Sequence, residues 1–357
     1  MPHAYSIAAF AVTVAYMPWF ADAANAPRWA LLSLMVPLAW RPLAWSRLHT
    51  PGMVFIVLAA LSLLWTPVVV EGLQPLWQFI LLGALFAIGV ELESMEPIFV
   101  GAGWGLAVSS VLSLAQDVPT GLFLNKNFLA EAAVLVFIGL VSYRRYALAA
   151  ALLPAMLLPV SRGALLALVV ASALQWRSRW LTAVLVTTFV AVVAVWPNGA
   201  SLGERYVIWT HTANHLTWLG HGLGSFYIDF PGFQEDGFAR RFEHAHNDLL
   251  ELAYELGIGV LPLLALWLVA MLQVQPVRVV LVAFTVEGCF AFPLYLPVTA
   301  ALGILVTGHL YGSWARVFRA EHVGERRVRN GAGQPGLRQR EAPSAARGGL
   351  VPAQPRI

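Results

Sequence analysis

Charge is scarce in this chain: only 11% of its 357 residues are Asp, Glu, Lys or Arg, against roughly a quarter in a soluble domain. With 59% of residues hydrophobic, a water-facing surface cannot be built. The composition excludes a soluble enzyme with a large core and predicts a polytopic membrane protein. Cysteine is nearly absent as well. Cys289 alone rules out an intrachain disulfide and says nothing about compartment. A basic leader is also missing, since Met1-Pro2-His3 opens directly into an apolar run with another run behind it. The first run therefore reads as a span and not as a cleavable signal peptide. The net charge of +3 conceals an asymmetry, because residues 316–357 hold nine Arg against three Glu. The rest of the chain is acidic, which excludes a basic nucleic-acid-binding patch.

What is present is a series of apolar runs. About 20 residues are needed to cross a ~30 Å hydrocarbon core. Runs near that length, broken by Pro, Gly or charge, lie at 4–21, 28–45, 51–70, 73–91, 97–116, 127–142, 146–160, 163–176, 180–197, 248–272, 277–293 and 296–314. The fold class expected is an all-α integral membrane protein with about twelve transmembrane helices. Nine fall in residues 1–197 and three in 248–315, with one long loop, 198–247, between them. The two runs flanking Ser161-Arg162-Gly163 are short enough to be half-helices or a tilted hairpin. With the N-terminus inside, sixteen of the 22 basic residues fall on the inner side and six on the outer, so both termini are expected to be cytoplasmic. Residues 316–357, rich in Arg, Gly, Pro and Ala, read as a disordered cytoplasmic tail. That tail serves as a topology anchor or docks on anionic headgroups.

The long outer loop concentrates the polar chemistry, holding five of the nine His together with Arg205, Arg240 and Arg241. A connection of this length is functional or disordered, and its composition is not low-complexity. Glu204 to Leu216 has helical spacing, with Tyr206, Trp209, Ala213 and Leu216 on one face, and suits a short helix on the membrane surface. A glycine-rich turn follows, Gly220-His221-Gly222-Leu223-Gly224-Ser225-Phe226, a weak phosphate-binding signal on its own. The loop ends in Glu243-His244-Ala245-His246-Asn247-Asp248. There Asn247 or Asp248 is a good helix N-cap, and Asp248 with Glu251 makes a capping-box pattern.

His246 then sits at the positive end of a helix dipole, which disfavours imidazolium and leaves a ring able to accept a proton. The same helix end attracts an anion such as phosphate. The plainer reading of His244 and His246 is a helix cap. Arg162 stands between two apolar runs on the outer side, where a guanidinium marks a substrate or ion site or else snorkels to the interface. Arg162 and Arg205 could clamp a diphosphate through bidentate contacts. His211 and His215, at i and i+4, could join His244 and His246 around zinc, but no Cys is available and no metal is expected.

Three segments together resemble the O-antigen ligase and polymerase superfamily of bacterial envelope glycosyltransferases. Gly121-Leu122-Phe123-Leu124-Asn125-Lys126-Asn127 is similar to the family's G-x-F-x-N-x-N segment. Ser161-Arg162-Gly163-Ala164 matches its S-R-G-A. The third segment runs from Arg205 and Trp209 through Gly222-Leu223-Gly224-Ser225-Phe226 and His246-Asn247 to Gly257. The ordered set covers about residues 60–270. One departure is Val260, where the family pattern has Gly or a similar residue. The resemblance implies a C-type glycosyltransferase fold in the bacterial inner membrane. It implies transfer of a glycan from undecaprenyl diphosphate to an acceptor hydroxyl, lipid A–core, at the periplasmic face. Arg162 and Arg205 would hold the diphosphate, and His246 would deprotonate or orient the acceptor. Asn247, Asn127, Trp209 and His244 would support them. The family works without a divalent metal or other cofactor, in keeping with the lack of an Asp-x-Asp pattern. A polysaccharide polymerase or protein O-oligosaccharyltransferase shares the chemistry. A transporter or flippase, or a non-catalytic envelope protein, is the competing class. A transporter would spread ionisable residues along several spans, and only Glu131 and Glu287 stand out as such.

Overall fold

The computed structural model describes residues 2–17, 25–39, 49–123, 125–176, 199–233, 242–272 and 277–331, with short stretches between 183 and 194. Among the described residues every regular element is helical and no strand occurs. The chain divides into Met1–Ala315 and Arg316–Ile357. The first unit opens with α1 (Pro2–Val14), α2 (Asn25–Ala39), α3 (Thr50–Ser62), α4 (Val69–Glu91) and α5 (Glu96–Leu114). It continues with α6 (Lys126–Ser142), the short α7 (Tyr146–Ala150) and α8 (Leu153–Leu157), and α9 (Arg162–Trp176). Then come α10 (Gly199–Asn214), α11 (Ser225–Phe233), α12 (Asp248–Leu256), α13 (Leu261–Met271), α14 (Arg278–Gly288) and α15 (Pro297–Gly331).

Among the described residues three helical stretches are long and apolar enough to cross a membrane: α4, α5 and Asp248–Met271, with 23, 19 and 24 residues. Shorter apolar helices are His3–Val14, Thr50–Ser62 and Arg162–Gln175. Runs 4–21, 28–45, 51–70 and 277–293 are longer as sequence than the helices found in them. Run 146–160 becomes two five-residue helices, with Pro154 opening the second. Run 180–197 falls largely outside the described residues, as do Arg240 and Arg241. The last helix continues through Gly331 into the segment whose composition predicts disorder. Ala, Arg and Glu are good helix formers, and extending an existing helix needs no new nucleus. Residues 332–357 lie outside the described residues.

The exterior is apolar where water would require polarity. Leu64, Trp104, Val111 and Leu114 are each more than half exposed. An outward surface of this kind suits lipid. Helix packing also follows membrane practice, in which small residues let backbones approach. Gly101 and Gly105 on α5 meet Ser6 and Thr13 of α1, and Gly308 and Gly312 on α15 lie against the Phe86–Val90 backbone of α4. The main core fills the space between these helices.

The loop that sequence marks as functional folds into helices with a small core of their own, made by Ile208, Phe226, Phe230, Phe242, Ala245 and Tyr254. The inward face of α10 is Ile208, Trp209 and Thr212. Tyr206 and Ala213, expected on that face, are exposed, and Leu216 lies beyond the helix end. The packed face is turned by about one residue from the predicted one, because Ile208 and not Tyr206 fills the aromatic core.

The span after the loop is not one continuous α-helix. It breaks at Gly257, and a 3₁₀ turn, Gly257–Val260, joins α12 to α13. The segment Trp218–Gly222 runs across this break as a strap. Ile258 N–H donates to Trp218 O, His221 N–H to Tyr254 O and Gly222 N–H to Glu255 O, each at 2.9 Å. Gly220 has φ +71°, and a Cβ there would strike the Glu255 backbone. Gly222 and Gly224 lie equally close to the backbone of Thr66 and Glu71. The glycine-rich turn is therefore built for backbone-to-backbone contact. A phosphate cradle is not what it forms.

Candidate functional site

The starts of α6, α9 and α12 and the side of α10 meet around two phenylalanines that follow α14, Phe290 and Phe292. Trp209 of α10 packs on Phe290 with ring centroids 6.0 Å apart, and its Nε1–H donates to Ala245 O at 3.0 Å. Gly163, the second residue of α9, faces the same ring: a Cβ there would lie 3.8 Å from Phe290 Cβ. Phe128, in the first turn of α6, meets Phe292 edge-on at 5.4 Å. His244 and His246 lie against Phe292 at 4.3 and 5.2 Å. The Asn127, Arg162, Arg205, Trp209 and His244–Asn247 segments, far apart in sequence, are thus brought to one place.

Arg162 is the first residue of α9 and is half-buried. Two residues before it, Val160 has φ +52°, a conformation unfavourable for a β-branched residue. His246 has φ +53°. Such backbone strain persists where packing enforces it and concentrates at functional sites. Arg205 lies on the inward side of α10, four residues before Trp209. Burial holds its guanidinium below the ordinary range, Glu131 and Glu204 oppose this by attraction, and Arg162 adds to it by repulsion. Arg205 is thus set in a neighbourhood that includes Arg162 and Glu131, the latter only 3% exposed on α6.

Asn127 lies in the first turn of α6, its N–H donating to Asn125 Oδ1 at 2.9 Å, so Asn125 is the cap and Asn127 is held by it. Arg28, fully buried, reinforces this segment. Its guanidinium donates to Thr13 O at 3.0 Å and Leu122 O at 2.9 Å and lies 3.9 Å over the Phe123 ring. Sequence inspection gave Arg28 no role beyond topology, because nothing near it in the chain names its partner 94 residues away.

Asn247 is the N-cap of α12, with its side chain accepting from Leu250 N–H at 3.1 Å. The expected capping box does not form, because capping at Asn247 places Glu251 one position too far along. Glu251 reaches back instead to Ala245 N–H at 2.6 Å and to His244 Nδ1 at 2.8 Å. Asp248 is fully buried and accepts from Leu294 N–H at 3.0 Å. Two acids, Asp248 and Glu251, therefore stand in the first turn of this helix, where carboxyl groups favour the dipole.

Sequence reading also missed the acidic face of α12. Asp248, Glu251 and Glu255 recur at helical spacing and are all buried. Glu255 caps α11 by accepting from Phe226 N–H at 3.3 Å. An i, i+3, i+7 stripe of acids in an otherwise apolar helix was the available signal. His211 and His215 are tied locally, His215 Nδ1–H donating to His211 O at 2.7 Å. Among the described residues no three His, Cys, Asp or Glu converge on a metal-sized point. Among the described residues the fold is all-helical, with three helical stretches long and apolar enough to cross a membrane, and it gathers the Arg162, Arg205 and His244–Asn247 segments around Phe290 and Phe292. Comparison with known protein families and with characterised proteins finds no match to this chain.

Proposed function

We propose that this protein is a metal-independent, inverting glycosyltransferase of the O-antigen ligase type. In this reading the protein spans the bacterial inner membrane with about twelve helices, in a C-type glycosyltransferase fold with both termini cytoplasmic. It moves a glycan from undecaprenyl diphosphate to a hydroxyl of lipid A–core at the periplasmic face. The observation that carries the reading is the placement of Arg162, at the start of α9, and Arg205, on α10, beside Gly163 and Trp209, which both meet Phe290. Two guanidinium groups on separate helices at one place suit a diphosphate bearing two charges. The His244–His246 turn stands beside them through Trp209, Phe290 and Phe292.

In the transfer the acceptor oxygen bonds to the anomeric carbon as the bond from that carbon to the diphosphate oxygen breaks. The arginines stabilise the leaving group's charge, an electrostatic contribution of the kind that dominates many reactions. His246 deprotonates or orients the acceptor hydroxyl. A polysaccharide polymerase or a protein O-oligosaccharyltransferase would use the same arrangement with another acceptor. The direct test is binding of undecaprenyl diphosphate to the full chain, read by native mass spectrometry in detergent. Wild type should retain the lipid and Arg162→Ala and Arg205→Ala should lose it. Equal retention by all three overturns the clamp.

A second reading, transport, draws on one specific observation. Glu131, Asp248, Glu251, Glu255 and Glu287 are all buried, a longer series of ionisable groups than the sequence displays. Proton or substrate flux across sealed proteoliposomes would favour it.

A further inference from the structure

His244, two residues before the motif histidine, has the geometry of a base. Its Nδ1 lies 2.8 Å from Glu251 Oε1, and a contact of that length to a carboxylate requires a proton on Nδ1. Nε2 then carries the lone pair. Among the described residues Nε2 has no hydrogen-bond partner, while the side chain keeps 24% exposure and that of Glu251 only 3%. One nitrogen is tied to a buried acid, and the ring lies on Phe292, which His246 and Phe128 also contact.

The chain builds this arrangement in few residues. The positive φ of His246 turns the segment back on itself, so that His244 meets Glu251 seven residues later. The other Glu251 oxygen is fixed by Ala245 N–H at 2.6 Å, and Ala245 O is fixed by Trp209 at 3.0 Å. Phe292 stacks on the imidazole at 4.3 Å with 27° between planes, and Tyr295 lies 4.6 Å away. Ring position and tautomer are thereby set before any substrate arrives. The ionisable groups around this corner are Glu251, Asp248 and Glu255 from α12, His246 from the turn and Tyr295 after α14.

We infer that His244, oriented by Glu251, is the proton acceptor of the site, and that His246 orients the acceptor hydroxyl. The inference rests on the glycosyl-transfer reading for its substrate. The acceptor O–H proton passes to His244 Nε2 as the new glycosidic bond forms and the diphosphate departs with its bonding pair. The imidazolium then returns that proton to the departing diphosphate or to water. Glu251 is a positioning residue that stabilises the imidazolium, as a carboxylate behind a catalytic histidine does elsewhere.

Two readouts on the full chain test this. His244→Asn keeps an N–H for Glu251 but has no basic nitrogen, so its fold should hold. Transfer from a lipid-diphosphate-linked glycan should lose about 10²- to 10⁴-fold in kcat, the usual contribution of a general base, with donor KM unchanged. Wild-type kcat in His244→Asn overturns the inference. The second readout needs no substrate. Nitrogen NMR of ¹⁵N-histidine-labelled protein in lipid should show His244 as the Nδ1–H tautomer, and Glu251→Gln should abolish that preference. An Nε2–H tautomer in the wild type overturns the inference even if no glycan is ever transferred. Absence of transfer by the wild type, with the Nδ1–H signal present, fails the glycosyl-transfer reading and leaves the His244–Glu251 pair as a base for another substrate.

Discussion

Gly257→Ala should be far more damaging than a methyl group suggests. Gly257 has φ +54° and ψ −128°, a region almost closed to residues with a Cβ. Forcing alanine there costs about 1–3 kcal/mol in backbone strain alone. The new Cβ would also collide with Trp218 O and Gly220 N, both main-chain atoms that cannot rotate away. The strap must then lift and release the Ile258 N–H to Trp218 O bond of 2.9 Å. That bond adds about 0.5–1.5 kcal/mol. The total is ~1.5–4.5 kcal/mol, a sizeable fraction of a typical folding free energy. Thermal unfolding in mild detergent, followed by loss of the monodisperse chromatographic peak, should show a marked downward shift. Gly203→Ala is the control, since a Cβ there meets nothing within 4 Å. Equal stability of the two variants would refute the strap as the reason for glycine at this position.

Arg162→Lys and Arg205→Lys should each lower transfer about 10- to 100-fold, the worth of a charge-assisted pair, because a point charge cannot replace the guanidinium fork. Near-wild-type rates in a reconstituted assay would argue against a diphosphate clamp. Trp209→Phe keeps the ring against Phe290 but loses the bond to Ala245 O, so stability should fall by about 0.5–1.5 kcal/mol. An unchanged unfolding midpoint would show that this bond contributes nothing. Transfer should persist in excess EDTA, and its abolition would require a metal site.

The sequence carried the helical class, the loop worth studying and most of the residues that meet, because apolar runs and rare ionisable groups are one-dimensional signals. Span lengths were less legible. Pro154 and Gly257 divide apolar stretches that composition reads as continuous, and hydropathy is blind to φ. The site's framework was hidden for another reason. Phe290 and Phe292 look like any apolar residues until the fold sets Trp209, Gly163, Phe128 and both histidines around them. Glu251 read as a helix-capping acid, and only the turn at His246 shows that it holds His244. Arg28 illustrates the same limit, since its buried bonds to Thr13 and Leu122 join segments that share no local pattern.

The central claim is tested most directly by reconstituting the full chain in liposomes with an undecaprenyl-diphosphate-linked glycan and candidate acceptors, then identifying the modified acceptor. Wild type should transfer the glycan to a hydroxyl of lipid A–core or a related acceptor. His246→Ala, present in the membrane at the same level, should transfer none. Transfer to no acceptor, or full transfer by His246→Ala, would contradict glycosyl transfer at this site.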